Sequence, residues 1–241
     1  MTILPVFHAK TAGLTSKAGY NLWASPNTIS DQPKATKMTQ LTDQTPTVTG
    51  NYFNKHLSKN IIVRMLVDGY RRGLQSLVEE LPVRIVFEVG SGEGFILEYL
   101  FERCPETRLI GSDIDLDLIR ESRNRLPQFE WLITVGERTP FSTNAFDLTI
   151  CCEVLEHVQN PEVVLAELRR ITRQYLIISV PHEPYWRILN MLRGKYWRQY
   201  GNTPGHVNHW NTPGIKKTIS RSFSVQKILH VFPWIFILAK K

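Results

Sequence analysis

Three glycines at alternate positions give the strongest chemical signal in this chain. The apolar run 85–89, which carries Glu88, is followed by Gly90, Gly92 and Gly94 and then by a helical pattern. A Cβ at either of the first two glycines would keep the backbone away from a bound nucleotide-like ligand. The dinucleotide fingerprint needs a later glycine that is missing here, which disfavours a nicotinamide-dependent dehydrogenase. An ordinary tight turn between a strand and a helix is the alternative interpretation.

Asp113 is the second chemical signal, because it follows an apolar segment that begins at Leu109. It lies about twenty residues beyond the glycine turn, the spacing at which a strand-end carboxylate accepts two hydrogen bonds from a ribose diol. An aspartate at a strand end also caps helices, which is the alternative. The combination with the glycine turn favours ribose binding.

Glu153, Glu156 and His157 form the third signal, directly after a further apolar run. At this spacing, two carboxylates and an imidazole could converge at the start of a helix and hold a hard cation such as Mg²⁺. The alternative is that the acids and the imidazole serve only the turn and the wall of a pocket.

The elements that must position these residues alternate between strands and helices from Val83 onward, which indicates βαβ units on a parallel sheet. The last two apolar segments, 223–231 and 234–239, have only Phe232 and Pro233 between them, so they should pair as an antiparallel hairpin. We therefore predict an α/β, Rossmann-like fold, doubly wound around a seven-stranded and mostly parallel sheet. The other predicted strands are 84–89, 108–112, 129–135, 146–152 and 174–180, and the predicted helices are 60–81, 93–103, 115–125, 161–172 and 212–221.

The composition is that of a folded protein, because 42% of the 241 residues are hydrophobic. Cys104, Cys151 and Cys152 make no disulfide framework and indicate buried thiols in a reducing compartment. The chain shows neither a signal-peptide pattern nor an apolar run of membrane-spanning length, so we expect a soluble, cytoplasmic protein. The net charge of +7 comes mostly from scattered Lys and Arg, which predicts a solvated basic surface rather than a nucleic-acid partner.

The order and spacing of the motifs resemble those of class I S-adenosylmethionine-dependent methyltransferases. More narrowly, the chain is similar to the small-molecule branch that includes ubiquinone-biosynthesis O-methyltransferases. The resemblance covers roughly residues 60–240 and implies both the sheet already deduced and methyl transfer to a small, partly apolar acceptor. The stretches that carry it are 85–94, 109–115, 135–141, 145–150, 153–158 and 177–181.

The resemblance implies a cofactor site for S-adenosylmethionine. Glu88 would reach its amino group, the glycines would approach its methionine part, and Asp113 would hold its ribose. Ile114 would pack on the adenine, and Glu137 would accept from the adenine amino group at a position where the family commonly has Asp. Cys152 would lie near the sulfonium, with a buried core thiol as the alternative. The implied cofactor-binding residues are Glu88, Gly90, Gly92, Gly94, Asp113, Ile114, Glu137 and Cys152.

On the acceptor side, a hydroxyl would have to give its proton to a base or a metal, and histidine is the usual base at neutral pH. The candidates are His157, His182, His206 and His209, of which we favour His157 and His206. Some ubiquinone-type relatives use a metal at the position of Glu153, Glu156 and His157, whereas many family members have the same residues without one. Magnesium is therefore a possible second cofactor.

Two segments outside the motifs are expected to build the acceptor pocket. Residues 1–59 are predicted to be a partly loose N-terminal extension with a helical piece near Trp23, and residues 60–241 form the methyltransferase domain. Within this domain, 182–211 is predicted to be an insertion that covers the acceptor. Residues 184–198 interleave aromatic and cationic side chains, which is typical of a helix that rests on an anionic membrane, of a lid, or of a helix packed on the sheet.

Several functional alternatives remain open in the sequence. O-methylation is favoured, with C- or N-methylation of a small molecule as the alternative. Methylation of a nucleic-acid base is disfavoured, because the turn after the fourth strand is acidic at Glu153, where a phosphate backbone would be repelled. The remaining possibility is an inactive cofactor-binding module, which the retention of Glu88 and Asp113 argues against. The oligomeric state is open.

Overall fold

Strands and helices alternate along the chain, of which the computed structural model describes residues 22–23 and 60–241. The strands have nearly the predicted positions, and the first helix begins where the side chain of Asn60 accepts hydrogen bonds from the N–H groups of Ile62 and Val63. The strands are β1 Ile85–Val89, β2 Arg108–Asp113, β3 Glu130–Ile133, β4 Phe146–Cys152, β5 Thr172–Pro181, β6 Ser224–Val231 and β7 Trp234–Lys240. The helices are α1 Ile61–Val78, α2 Phe95–Phe101, α3 Leu116–Arg125, α4 Pro161–Ile171, α5 Tyr185–Leu192 and α6 Thr212–Ile219.

The seven strands form one sheet in the order β3-β2-β1-β4-β5-β7-β6. Strands β1 to β5 pair in parallel, whereas β7 pairs antiparallel with both β5 and β6. The predicted fold class, including the C-terminal antiparallel hairpin, is therefore confirmed. The hairpin follows from the chain itself, since two residues cannot carry it back across a sheet for a parallel pairing.

The two faces of the sheet bury separate hydrophobic clusters. Along β1, Phe87 points into the cluster that includes α4 and α6, and Val86 points into the cluster that includes α1, α2 and α3. This alternation is the period of two of a strand. Glu88 has the parity of Val86, and it lies near the carboxyl end of the strand, where a site can open.

The N-terminal extension is described only at Leu22 and Trp23, and the rest of the predicted segment 1–59 lies outside the described residues. Leu22 is buried in the core cluster with Phe87, and Trp23 packs against Phe141. The prediction of a helical piece is wrong at Trp23 itself, because this residue forms an antiparallel bridge with Phe141. The apolar residues Leu22 and Trp23 are compatible with either a helix or a β-bridge, and the contact of Trp23 with Phe141 selects the bridge.

Several element ends differ from the predicted ones. Helix α2 begins at Phe95 rather than at residue 93, because Gly94 has a φ of 78° and cannot belong to a right-handed helix. Strand β3 is shorter than predicted, whereas β5 begins two residues earlier, at Thr172. Among residues 22–23 and 60–241, the structure contains no helix with the length and apolar character needed to cross a membrane.

Candidate functional site

The predicted site residues gather at the carboxyl ends of β1, β2 and β4. Strand β1 lies between β2 and β4. The chain builds β2 and β3 on one side of β1 and then crosses over to build β4 and β5 on the other side, so the strand order reverses at this point of the sheet. In open α/β sheets, such a change of direction creates a crevice beyond the strand ends, where ligands bind. The strand order therefore places the candidate site here.

The glycine turn after β1 is held in place from both sides. The N–H of Gly92 donates to a carboxylate oxygen of Asp113 at 2.9 Å, and its carbonyl accepts from the Ser122 hydroxyl at 2.9 Å. The N–H of Ser91 donates to the Ser112 carbonyl at 2.8 Å. These bonds fix the turn against β2 and α3 before any ligand arrives.

The three glycines have different reasons to be glycine, although all three have positive φ. A Cβ at Gly90 would come within 2.3 Å of a Val154 methyl group, and one at Gly94 within 2.4 Å of the Trp131 ring. A Cβ at Gly92 would meet no atom within 4 Å. Packing therefore requires glycine at positions 90 and 94, whereas Gly92 keeps an open space at the strand end.

Glu88 is a buried carboxyl beside this turn, with 1% of its surface exposed. Its Oε2 accepts no hydrogen bond from the residues that the structure describes. Burial raises the pKa of Glu88 well above its ordinary value, and the nearby charge of Asp113 raises it further. A cationic ligand group beside this carboxyl would satisfy the orphaned oxygen and offset the cost of burying its charge.

Asp113 and its neighbours form the second wall of the crevice. Its carboxylate accepts from the N–H of Gly92 and from the N–H of Asp115, one bond to each oxygen. Each carboxylate oxygen can accept a second bond, so the side chain can hold the turn and still receive ribose hydroxyls. Ile114 is 57% exposed, which leaves an apolar surface for a flat ring. Glu137 is exposed in the tight turn between Val135 and Arg138.

Cys152 ends β4 as a buried thiol. Burial is the main cause that raises its pKa to about 12. A thiol with this pKa stays protonated at neutral pH and does not act as a nucleophile. Cys152 lies at the carboxyl end of β4, and its place near the sulfonium stays a prediction.

Glu153 has a φ of 58°, which is rare for a residue other than glycine. Its carboxylate accepts from the Trp234 indole at 2.8 Å and from the Ser179 hydroxyl at 3.4 Å. Ser179 in turn bonds the buried Tyr70 hydroxyl at 2.6 Å. Sequence reasoning missed this network, because Tyr70, Ser179 and Trp234 belong to separate elements and have no shared spacing.

The structure groups Glu156 and His157 with His206 instead of with Glu153. One potential ligand atom from each of these three residues lies within 4.8 Å of the others, and Glu156 and His206 are buried. The rings of His157 and His206 meet edge to face with centroids 4.8 Å apart. The Glu153 carboxylate is bonded to Ser179 and Trp234, and the metal set Glu153, Glu156 and His157 stays a prediction.

The loop 205–208 is clamped to the segment after β4 by backbone bonds. The carbonyl of Glu156 accepts from the N–H groups of Val207 and Asn208, and the Asn208 amide donates to the carbonyls at 155 and 158. The Nδ1 of His157 lies 3.2 Å from the carbonyl of Gly205. A carbonyl can only accept, so this bond places the proton on Nδ1.

The other two candidate histidines lie outside this group. His182 packs against Tyr185 and His230, and burial followed by the His230 charge lowers its pKa. His209 is exposed, bonds Asn202 at 2.8 Å, and has a pKa lowered by burial and then by Arg187. The preference for His157 and His206 agrees with this arrangement, although their catalytic role stays a prediction.

Comparisons with known proteins point to one domain type. A family model described as "Methyltransferase domain" matches residues 87–178. The trans-aconitate 2-methyltransferase of Azoarcus sp. (strain BH72) is 28% identical over 137 residues, which are 54% of each chain. The demethylmenaquinone methyltransferase of Renibacterium salmoninarum is 25% identical over 104 residues, or 43% of each chain. The chain thus spans about half the length, or less, of these curated relatives.

A solved structure extends the similarity to most of the fold. The magnesium protoporphyrin IX methyltransferase of Synechocystis PCC 6803, solved with bound SAH, superposes with a TM-score of 0.59. The match covers 76% of this chain and 89% of that one at 16% identity, and at that identity it shows the fold alone.

Proposed function

We propose that this chain, a class I S-adenosylmethionine-dependent methyltransferase, transfers a methyl group to an oxygen atom of a small, partly apolar acceptor. The observation that carries the proposal is the crevice at the ends of β1 and β2, where Glu88, Gly92 and Asp113 meet. The alternatives are C- or N-methylation of a small molecule, or an inactive module that only binds the cofactor.

The residues of the crevice fit S-adenosylmethionine by their chemistry. Glu88 offers a buried oxygen to the amino group, Gly92 leaves room for the methionine part, and Asp113 accepts from the ribose. Ile114 offers an apolar surface to the adenine, and Glu137 lies in the neighbouring turn. When bound, the cofactor supplies a methyl group on an already electrophilic sulfonium.

The protein then needs to align the acceptor, exclude water and remove a proton if the acceptor is a hydroxyl. We propose that Nε2 of His157 takes the proton of the acceptor hydroxyl, because Nδ1 of the same ring donates its own proton to the Gly205 carbonyl. His206, at ring-contact distance, is the second candidate. Replacing His157 by Gln should reduce kcat by about 10²- to 10⁴-fold, as expected for a lost general base. Affinity for the cofactor should stay unchanged.

The acceptor pocket is assigned to the insertion 182–211, together with the extension 1–59. Support comes from the loop 205–208, which reaches the segment after β4 through the bonds to Glu156 described above. Trp186 of α5 stacks with His206 and packs on Trp234, so the aromatic part of the insertion lies beside the candidate base. These aromatic walls favour an acceptor with an apolar part.

We also propose that residues 184–198 rest on an anionic membrane surface. Leu192 is 80% exposed and Trp197 is 64% exposed. The exposed cations Arg193, Lys195 and Arg198 lie around them, and the stretch contains no acidic residue. Exposed apolar side chains beside exposed cations are the composition of an interfacial helix.

Liposome co-sedimentation tests this contact. The wild type should sediment with vesicles that contain anionic lipid, and the double variant Leu192→Ser with Trp197→Ser should stay in the supernatant. Val163→Ser on α4 removes another exposed apolar side chain and should bind as the wild type does. Absence of wild-type binding at low salt would remove the membrane contact from the proposal.

Calorimetric titration with S-adenosylmethionine and S-adenosylhomocysteine tests the cofactor site. The wild type should bind both, and Asp113→Ala should bind neither measurably. Asp117→Ala removes the same charge from an exposed position in the first turn of α3 and is the matched control. If the wild type binds neither ligand, the proposed function fails. If it binds both but no small acceptor is methylated in a screen, the inactive-module alternative takes its place.

A further inference from the structure

We propose that Ser122 and Arg125 of α3 are positioning residues of the cofactor site, which hold the glycine turn after β1 in the shape that binds the ligand. Ser122 donates to the carbonyl of Gly92, and Arg125 donates to the carbonyl of Glu93. Neither residue belongs to the motifs that the sequence indicated. The inference rests on the proposed function, because it assumes that this turn binds S-adenosylmethionine.

Ser122 fixes the peptide plane that follows the open position at Gly92. Its side chain is completely buried, and its hydroxyl donates to the Gly92 carbonyl at 2.9 Å. The carbonyl of Gly92 and the N–H of Glu93 belong to one planar trans peptide, so the two groups point in opposite directions. The bond from Ser122 therefore turns the N–H of Glu93 away from α3.

Arg125 joins the end of the glycine turn to the start of α2. Its Nη2 donates to the Glu93 carbonyl, and its Nη1 donates to the Glu98 carboxylate. The guanidinium also lies over the ring of Phe95, 4.4 Å from the ring centroid. A guanidinium presents several donors in one rigid plane, so this single side chain fixes the carbonyl, the carboxylate and the ring relative to one another.

Helix α2 depends on these contacts at its beginning. Its N-cap is Gly94, which has no side chain to accept from the first N–H groups of the helix. A cation beside a helix N-terminus is usually unfavourable, because the helix dipole is positive there. The direct bonds of Arg125 to Glu93 and Glu98 therefore account for its position. Loss of these bonds would release both the end of the turn and the first turn of α2.

Helix α3 also holds the opposite wall of the crevice. Its N-cap is Asp115, whose N–H donates to the Asp113 carboxylate at 3.0 Å. The other oxygen of Asp113 accepts from the N–H of Gly92 at 2.9 Å. One end of α3 thus bonds the proposed ribose acid, and Ser122 and Arg125 bond the glycine turn. A single helix sets the position of both walls before the ligand binds.

Loss of either bond should weaken cofactor binding by lowering the population of the binding-ready turn. When only a fraction of the molecules has the competent conformation, the apparent Kd rises by the inverse of that fraction. A neutral hydrogen bond changes such an equilibrium by about 2- to 10-fold, and one to a charged group by about 10- to 150-fold. Ser122→Ala should therefore raise the Kd for S-adenosylhomocysteine by up to about 10-fold, and Arg125→Met by about 10- to 150-fold.

Calorimetric titration with S-adenosylhomocysteine measures these Kd values, and thermal melting measures the stability of the same variants. Arg120→Met is the control for the charge, because Arg120 lies on the same helix and bonds Asp117 at 3.1 Å instead of the turn. Ser76→Ala is the control for the hydroxyl, which donates to the Gly73 carbonyl of α1 at 2.8 Å. Both controls should keep the wild-type Kd. Arg125→Lys keeps the charge but not the fork of donors, so it should recover only part of the affinity.

Hydrogen exchange of the ligand-free protein tests the hold on the turn without any cofactor. The amides of residues 90–97 should exchange faster in Ser122→Ala and Arg125→Met than in the wild type, and at the wild-type rate in Arg120→Met. If one of the two test variants is not folded, the other carries the test. A Kd within about threefold of the wild type in the folded test variants, or unchanged exchange, would overturn the proposal while the proposed function stands. If the wild type itself does not bind the ligand, the proposed function fails and the role in binding fails with it.

Discussion

Replacing Gly92 by Ala should remove most of the cofactor affinity while leaving the fold nearly intact. The added Cβ would meet no protein atom within 4 Å, so the only structural cost is the φ of 51°. A left-handed conformation costs an L-residue about 1–2 kcal/mol, and Ala regains about 0.4–1 kcal/mol by restricting the unfolded chain. The net loss is about 1 kcal/mol, or roughly 2–4 °C in Tm for a domain of this size.

The effect on binding should be larger, because the methyl group enters the space left for the ligand. Forcing a methyl group into a close contact costs about 1–3 kcal/mol, which is about 5- to 150-fold in Kd. Gly92→Ala is therefore expected to lose affinity for S-adenosylhomocysteine out of proportion to its change in stability.

Gly194 provides the matched control. It has a φ of 71°, a Cβ there would also meet no atom within 4 Å, and it follows α5 rather than β1. Gly194→Ala should lower Tm by a similar amount and leave the Kd unchanged. Calorimetry gives the Kd of each variant, and thermal melting gives its Tm. If Gly92→Ala binds within about threefold of the wild type, the inferred close approach of the ligand at this glycine is wrong.

Three further substitutions test the electrostatics and the hydrogen bonds. Burial raises the pKa of Glu88, so the unfolded chain loses this proton first and stability falls as pH rises from about 4.3 toward the folded pKa. Glu88→Gln should remove this loss and be the more stable protein in urea at neutral pH, while its cofactor affinity falls about 10- to 150-fold. Burial acts to raise the pKa of Glu167, but hydrogen bonds from Arg170 and Thr139 outweigh it and hold this pKa low. The resulting stability is present above about pH 4.3 and is lost as pH falls through the folded pKa, so Glu167→Gln should cost about 1–3 kcal/mol in urea at neutral pH and progressively less in acid. Tyr70→Phe removes the 2.6 Å bond to Ser179 and should cost about 1 kcal/mol by the same measurement; no change in the urea midpoint would contradict the buried bond.

The cofactor half of the site could be predicted because local sequence builds it. A β-branched strand, a glycine turn and a strand-end acid are close in the chain, and the strand order then brings Asp113 to the N–H of Gly92. Which glycine keeps the open space was not predictable. Gly90 and Gly94 are constrained by Val154 and Trp131, residues that only the folded chain brings near.

The group formed by Glu156, His157 and His206 shows why the other half of the site was harder to predict from the sequence. Helical spacing suggested Glu153 as its partner, but helical spacing applies only within a helix, and Glu153 has left-handed backbone before α4 begins. A non-glycine residue with positive φ leaves little trace in the sequence. The loop that carries His206 is held by bonds from the N–H groups of Val207 and Asn208 to the backbone carbonyl of Glu156, and a backbone carbonyl carries no residue-type signal at all.

The two halves of the crevice therefore differ in what holds them, and this difference bears on acceptor choice. The half formed by β1 and β2 is fixed by bonds within the domain that the family model covers. The half formed by the loop 205–208 and α5 comes from a segment beyond that match. The loop reaches the site through backbone bonds to Glu156, and α5 joins the loop by the stacking of Trp186 on His206. Backbone bonds tolerate changes of side chain, so the residues of this segment can vary without loss of the site's frame. Substitutions there should change which acceptor is methylated, whereas substitutions at Glu88 or Asp113 should affect every acceptor equally.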